Sequence, residues 1–463
     1  MNLRALLTWL MRPGLAGNIG ANGLGQVVQI FIQLVSVPVY AQYLGIANYG
    51  VWLIFFTLPA YLAFSDFGLT IAAGNDMTMR MARGEIGGAH TTYLAMRRGV
   101  NIIILALLAF VWLLLFVAVP HLLDFAAEAC GGKPREVLLM LLAYGLAVIH
   151  GSATFAAFRA NGEYSVAAYR LQWISLVEAL AAIIMALLGQ GLFGMAVAYS
   201  VTRLAGTIWL QLLLLRRAPP FLRGPSDPIF GRVRALAPSA AAAVLLPVAN
   251  GLVLQGMIAL VATLAGPAAV PAFAVTRTLT RLPVQFASLI NLASMPDYTA
   301  SEARGDEARK TDLVALTLLA IAVTLLPAAV VIALCGKWLL LLWSSGALEA
   351  AEVMVLALVV SMVANGCWVP LSNFMLAINR HGRFTYAYIV LTLAALGLAR
   401  FLIPEYGALG AAAAVALLDV IMLLVVVWHC WRLHIINAFV LRTALARASR
   451  LIAGQMPWRE QKP

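Results

Sequence analysis

Apolar residues run almost unbroken through twelve stretches of this chain, at about 19–44, 50–72, 99–120, 136–158, 167–188, 192–215, 235–264, 270–295, 313–334, 351–378, 385–403 and 407–432. A bilayer core about 30 Å thick needs roughly 20 apolar residues per helix. Only a segment that closes its own backbone hydrogen bonds can stay in lipid. The pattern therefore predicts an all-α polytopic membrane protein of about twelve transmembrane helices. Composition agrees: 63% of residues are hydrophobic and 11% charged, more apolar surface than a soluble fold of this length can hide. Arg12-Pro13-Gly14 follow a short apolar run with no small-residue cleavage site, so an interfacial N-terminus is expected rather than a removable signal.

The charge pattern adds orientation. Alternate gaps between spans hold 24 of the 31 basic residues, the terminal segments included. By the positive-inside rule both termini are cytoplasmic, as an even span count requires. The net charge of +12 then reflects topology and contact with anionic lipid, and gives no reason to expect nucleic acid. Cys130, Cys335, Cys367 and Cys430 lack metal-ligand spacing, so neither a metal nor a cofactor is expected.

A Pro- and Arg-rich connection at 216–234 falls at the midpoint. It divides the chain into a lobe at 1–215, a cytoplasmic linker, a second lobe at 235–432 and a basic amphipathic tail at 433–463. A short internal match, Tyr43-Leu44-Gly45-Ile46-Ala47 against Leu264-Ala265-Gly266-Pro267-Ala268, falls at the turn after the first span of each half. Two six-helix lobes around a central cavity, with substrate held near the midplane, are the expected plan. The external gaps are too short for an extramembrane catalytic domain, which argues against an enzyme.

Polar residues within the spans carry the functional signal. Asn18, Asn22, Gln26, Gln29, Gln33, Ser36 and Tyr40 are spaced by three or four residues, so all seven share an arc of about 80° on span 1. Such a stripe suits a wet cavity and sugar hydroxyls, because carboxamides both donate and accept. Arg277, Arg281, Gln285 and Ser288 share one face of span 8, and neither arginine has an acid three or four residues away. Cations at that depth point to a solvated cavity with an anionic ligand. Glu178 and Arg203 lie 12 and 13 positions from Gln190 in the turn joining spans 5 and 6. An ion pair is expected there, either structural or part of a gate. Asp419, central in span 12, is either a protonatable coupling site or a partner for Arg277 or Arg281. Trp368, among Ser361, Asn365 and Ser372 on span 10, could stack on a sugar or simply pack.

The run Gln33-Leu34-Val35-Ser36-Val37-Pro38-Val39-Tyr40-Ala41-Gln42-Tyr43-Leu44-Gly45, followed by Asn48-Tyr49-Gly50-Val51-Trp52, resembles the first hairpin of the polysaccharide flippase family. That family of O-antigen and exopolysaccharide transporters belongs to the multidrug/oligosaccharidyl-lipid/polysaccharide (MOP) exporter superfamily. Phe64-Ser65-Asp66-Phe67-Gly68-Leu69, Arg159-Ala160-Asn161-Gly162-Glu163-Tyr164, Met295-Pro296 and Ala377-Ile378-Asn379-Arg380-His381-Gly382 carry further similarity. The resemblance implies twelve helices in two lobes and an undecaprenyl-diphosphate-linked oligosaccharide moved from the cytoplasmic to the periplasmic leaflet. Membrane lipids and polysaccharide polymerase or assembly proteins would be partners. Arg203, Arg277 and Arg281 would form the cationic cavity. The competing readings are a MATE-type drug or cation antiporter and a membrane-bound transferase or scaffold of polysaccharide assembly. Antiporters of the superfamily often carry an acid in span 1, and none occurs between Gly14 and Trp52.

Overall fold

The computed structural model of the 463-residue chain describes residues 15–62, 68–114, 123–222, 247–377 and 382–437, with 231, 245, 440 and 442–444 besides. The linker beyond Leu222 and most of the tail beyond Asn437 lie outside the described residues. The chain is all-α. Its helices are α1 (Leu15–Leu44), α2 (Ile46–Phe55), α3 (Thr57–Leu62), α4 (Leu69–Ala82), α5 (Ile86–Leu113), α6 (Pro134–Ala160), α7 (Tyr164–Leu187) and α8 (Gly191–Arg217). They continue with α9 (Pro247–Ala265), α10 (Ala269–Arg304), α11 (Glu307–Trp343), α12 (Glu352–Ala377), α13 (Gly382–Tyr406) and α14 (Ala408–Arg432).

Ten of these are long and apolar enough to cross a bilayer. The interrupted second span and α10, which carries Arg277 and Arg281, are not among the ten. The second span is built from α2, α3 and α4, broken at Phe56. Pro59 sits in the first turn of α3, where its missing N–H has no helical acceptor to lose. The described part of span 7, α9, contains one π-helical turn, Leu252–Gly256.

The two turns matched in sequence have the same backbone. Gly45 has φ 78°, ψ 159° and Gly266 has φ 86°, ψ 162°. That region is open essentially to glycine alone, so the match rests on a shared conformational requirement. Gly50 answers a different constraint: a Cβ there would strike the carbonyl of Pro267.

The chain forms two compact units, Met1–Pro271 with Trp343–Ala347, and Ala272–Leu342 with Leu348–Pro463. In the first, α6 and α8 run parallel and are laced by polar bonds at near-heptad intervals. Ser200 donates to the Met140 carbonyl, Thr207 to that of Ala147 (3.3 Å) and Thr154 to Gln211 Oε1 (2.8 Å). Trp343 is tied into the same unit by Nε1, which donates to the Leu34 carbonyl at 3.0 Å. In the second, α14 packs on both α12 and α13.

Candidate functional site

The first unit buries a charge pair in its helical core. Arg203 on α8 donates through Nη2 to Glu178 Oε1 on α7, and Tyr144 on α6 donates its hydroxyl to the same oxygen at 3.1 Å. Ser175 Oγ lies 3.4 Å from Arg203 Nη2, and the guanidinium stands 5.3 Å from the Tyr144 ring centre. The expected ion pair is present, and Tyr144 and Ser175 complete it. Low dielectric makes such a pair worth keeping only when further hydrogen bonds surround it. Satisfaction is incomplete: Glu178 Oε2 and Arg203 Nε are buried without a hydrogen-bond partner. Tyr144 also meets Tyr199 edge-on at 5.5 Å, and Tyr199 meets Phe56 at 5.1 Å and Trp52 at 5.8 Å. Tyr40, the last member of the span 1 stripe, closes this aromatic cluster against Tyr49 and Trp52.

The rest of the span 1 stripe has a distinct environment. Gly20 and Gly25 bring α1 against Tyr169 and Gln172 of α7, with Ala21 and Val28 buried on that side. Val27, Phe31 and Leu34 are exposed and apolar, which is the signature of a lipid-facing side. At about 100° per residue the stripe lies well over 100° around the helix from that apolar side. Asn22 and Gln29 are exposed on it, and Gln26 and Gln33 half-buried. Asn22 Oδ1 accepts from the Tyr164 hydroxyl at 2.9 Å, and Gln33 Oε1 is buried without a partner. The side chain of Asn18 is outside the described residues.

The second unit contains Arg277, Arg281 and Gln285 of α10. Arg277 stacks over Phe273 of its own helix, 5.0 Å from the ring centre. Arg281 is half-buried, within electrostatic range of Asp419 and Tyr388. Gln285 Oε1 is buried without a partner, and the side chain of Ser288 is outside the described residues.

Of the two readings of Asp419, a direct partnership with Arg277 or Arg281 is the one its bonds do not follow. Its carboxylate is caged by one face of α12: Ser361 Oγ donates to Oδ2 at 2.6 Å, while Asn365 Nδ2 (2.9 Å) and Trp368 Nε1 (3.0 Å) both donate to Oδ1. The three donors follow an i, i+4, i+7 spacing, which aligns them along one side of the helix. Asp419 therefore takes neutral donors as its direct partners and has Arg281 only as a nearby charge. The idea that Trp368 stands open to a sugar ring is corrected in the same way. It is 5% exposed, packed 5.2 Å from Tyr388, with its N–H on the carboxylate. An indole N–H at membrane depth needs an acceptor, and Asp419 supplies it. Among the described residues no three His, Cys, Asp or Glu side chains cluster as a metal site.

No protein-family model matches this chain. No curated protein sequence matches it either. Solved structures do. The lipid II flippase MurJ in an inward closed conformation aligns with a TM-score of 0.69 at 14% identity, over 94% of this chain and 91% of that one. An inward-facing multidrug resistance MATE family transporter of the MOP superfamily aligns with a TM-score of 0.62 at 16% identity, over 87% and 98%. A MOP superfamily transporter from Pyrococcus furiosus, described by a reversed polarity of its binding pocket, aligns with a TM-score of 0.52 at 14% identity, over 89% and 95%. These likenesses establish the fold: a multi-pass membrane protein with the architecture of MOP-superfamily transporters.

Proposed function

We propose that this protein is a flippase that moves an undecaprenyl-diphosphate-linked oligosaccharide from the cytoplasmic to the periplasmic leaflet of a bacterial inner membrane for polysaccharide biosynthesis. The observation that carries this reading is the Arg277–Arg281 face of α10. Two guanidinium groups, Arg277 and Arg281, one helical turn apart on that helix, bring cationic hydrogen-bond donors to membrane depth, with Asp419 within electrostatic range of Arg281. A planar guanidinium matches phosphate oxygens in a bidentate geometry that a lysine ammonium cannot reproduce. The span 1 amides Asn22, Gln26, Gln29 and Gln33 are suited to sugar hydroxyls.

Cation antiport is disfavoured by the fate of the buried acids. Glu178 is engaged by Arg203, and Asp419 by three neutral donors. Neither is set up to receive a cationic drug. The fold is shared by MATE transporters and by a lipid II flippase, and the arginine face favours the lipid-linked anion of the two substrate classes.

In cells, Arg281→Ala at normal protein level is expected to block export and to accumulate lipid-linked oligosaccharide in the cytoplasmic leaflet. Arg281→Lys should restore export in part. Undiminished export by the alanine variant would remove Arg281 from the mechanism.

A further inference from the structure

The first unit contains a cavity of about 500 Å³, within the range of small-molecule sites. Its long wall is one face of α6, formed by Val148, Gly151, Ser152, Phe155, Ala156 and Arg159. At 1.5 Å per residue this wall runs about 16 Å along the helix. Arg159 stands near one end, at the C-terminus of α6. Arg203 also lines the cavity, and it lies level with Tyr144, well inside the helix. Thr70, Ser152 and Ser175 are also among its lining residues.

The two arginines are not equivalent. Arg203 is 8% exposed and compensated by Glu178, yet its Nε is buried without a partner. Arg159 is bonded only to neutral acceptors, through Nη2 to Asn75 Oδ1 at 2.9 Å and to the Ile71 carbonyl at 3.4 Å. A guanidinium has five N–H donors, so three on Arg159 remain to meet a ligand. Among the described residues no carboxylate lies within ion-pair distance of it. Among the described residues the cavity lining thus includes one guanidinium without an ion-pair partner, Arg159, a second paired with Glu178, Arg203, and Thr70, Ser152 and Ser175, beside apolar Ile71, Phe155 and Leu171.

From this arrangement we infer a second anion site, in the first unit and separate from the α10 arginines, that takes the phosphate or diphosphate headgroup of an amphiphile between Arg159 and Arg203. Identifying its natural occupant as the transported headgroup rests on the transport reading above; the site itself does not.

The test is diphosphate binding to purified full-length protein in phosphatidylcholine nanodiscs, measured by calorimetry with sodium diphosphate and with farnesyl diphosphate. Arg281→Ala is expected to leave one binding component. In that background Arg159→Gln should weaken the component about tenfold, the loss of one charge-assisted contact. Ser152→Leu, which fills the cavity without touching either arginine's bonds, should weaken it as well if the site is real. Residual binding unaffected by both changes, or no residual binding in Arg281→Ala, would overturn the second site. Full wild-type binding in Arg281→Ala with loss only in Arg159→Gln would keep this site and sink the α10 reading instead. Farnesyl diphosphate should bind more tightly than the inorganic anion; equal or weaker binding overturns the assignment to a lipid headgroup.

Discussion

Glu178 and Asp419 are both carboxylates buried at membrane depth, one in each unit, and the chain neutralises them by opposite means. Glu178 meets a cation, Arg203, so that pair carries no net charge. Asp419 meets a hydroxyl, an amide and an indole, with Arg281 nearby but not bonded to it. The consequence lies in the arginines rather than the acids. In the first unit the buried guanidinium is compensated and locked among Tyr144 and Ser175. In the second the acid is satisfied by neutral donors, without a direct bond to a guanidinium. The same residue types therefore pair a carboxylate with a guanidinium across α7 and α8 and hold one with neutral donors from α12.

The comparison can be broken first at the charged pair of the first unit. Glu178→Leu strands Arg203 in the helical core, and removing one partner of a buried pair costs about 3–5 kcal/mol. The double variant Glu178→Leu/Arg203→Met should recover most of that loss, read as thermal stability in detergent. Additive losses in the double variant would show that the two side chains are not coupled. In the second unit the size of the effect depends on what replaces the acid. Asp419→Leu orphans three donors at about 1–3 kcal/mol each. Asp419→Asn retains an acceptor for Asn365 and Trp368 and lets the Ser361 hydroxyl turn to accept, so stability should fall by only about 1 kcal/mol. The asparagine variant should also bind diphosphate more tightly, since it removes a negative charge near Arg281. Weaker binding would show that the carboxylate orients Arg281 and does more than satisfy α12.

How much of this was readable beforehand depends on whether a contact is set along one helix or between helices. The Glu178–Arg203 pair followed from counting equal distances from the Gly189–Gly191 turn, because antiparallel neighbours share that register. Tyr144 arrives from a third helix, and no spacing in the sequence fixes which of its residues reaches that depth. The stripe of Ser361, Asn365 and Trp368 was visible on α12, but its partner was not. Periodicity tells which residues share a face and leaves open what the face meets, so Asp419 reads equally as a protonatable site or an arginine partner, and Trp368 as stacked on a sugar or simply packed. The turn glycines Gly45 and Gly266 were visible as a short match, and their common positive φ gives the physical reason for it.

A smaller effect sharpens the account of span 1. Single cysteines at Asn22 and Gln29, in a background lacking Cys335 and Cys367, should react with a hydrophilic maleimide, and cysteines at Val27 and Phe31 should stay largely unreacted. Native Cys130 serves as an inert reference, since burial and the Glu136 carboxylate push its thiol up to about 11. Equal labelling at all four positions would contradict a wet polar face opposite a lipid-facing one.

The most direct test is transbilayer movement in proteoliposomes containing the purified protein. A polyprenyl-diphosphate oligosaccharide should be flipped, and Arg281→Ala should slow it by about two orders of magnitude, the loss of two charge-assisted hydrogen bonds to phosphate. Asp419→Asn should retain most of the rate, and a lipophilic cation such as ethidium should neither move nor compete. Transport of ethidium, or an unchanged flipping rate in Arg281→Ala, would contradict the account.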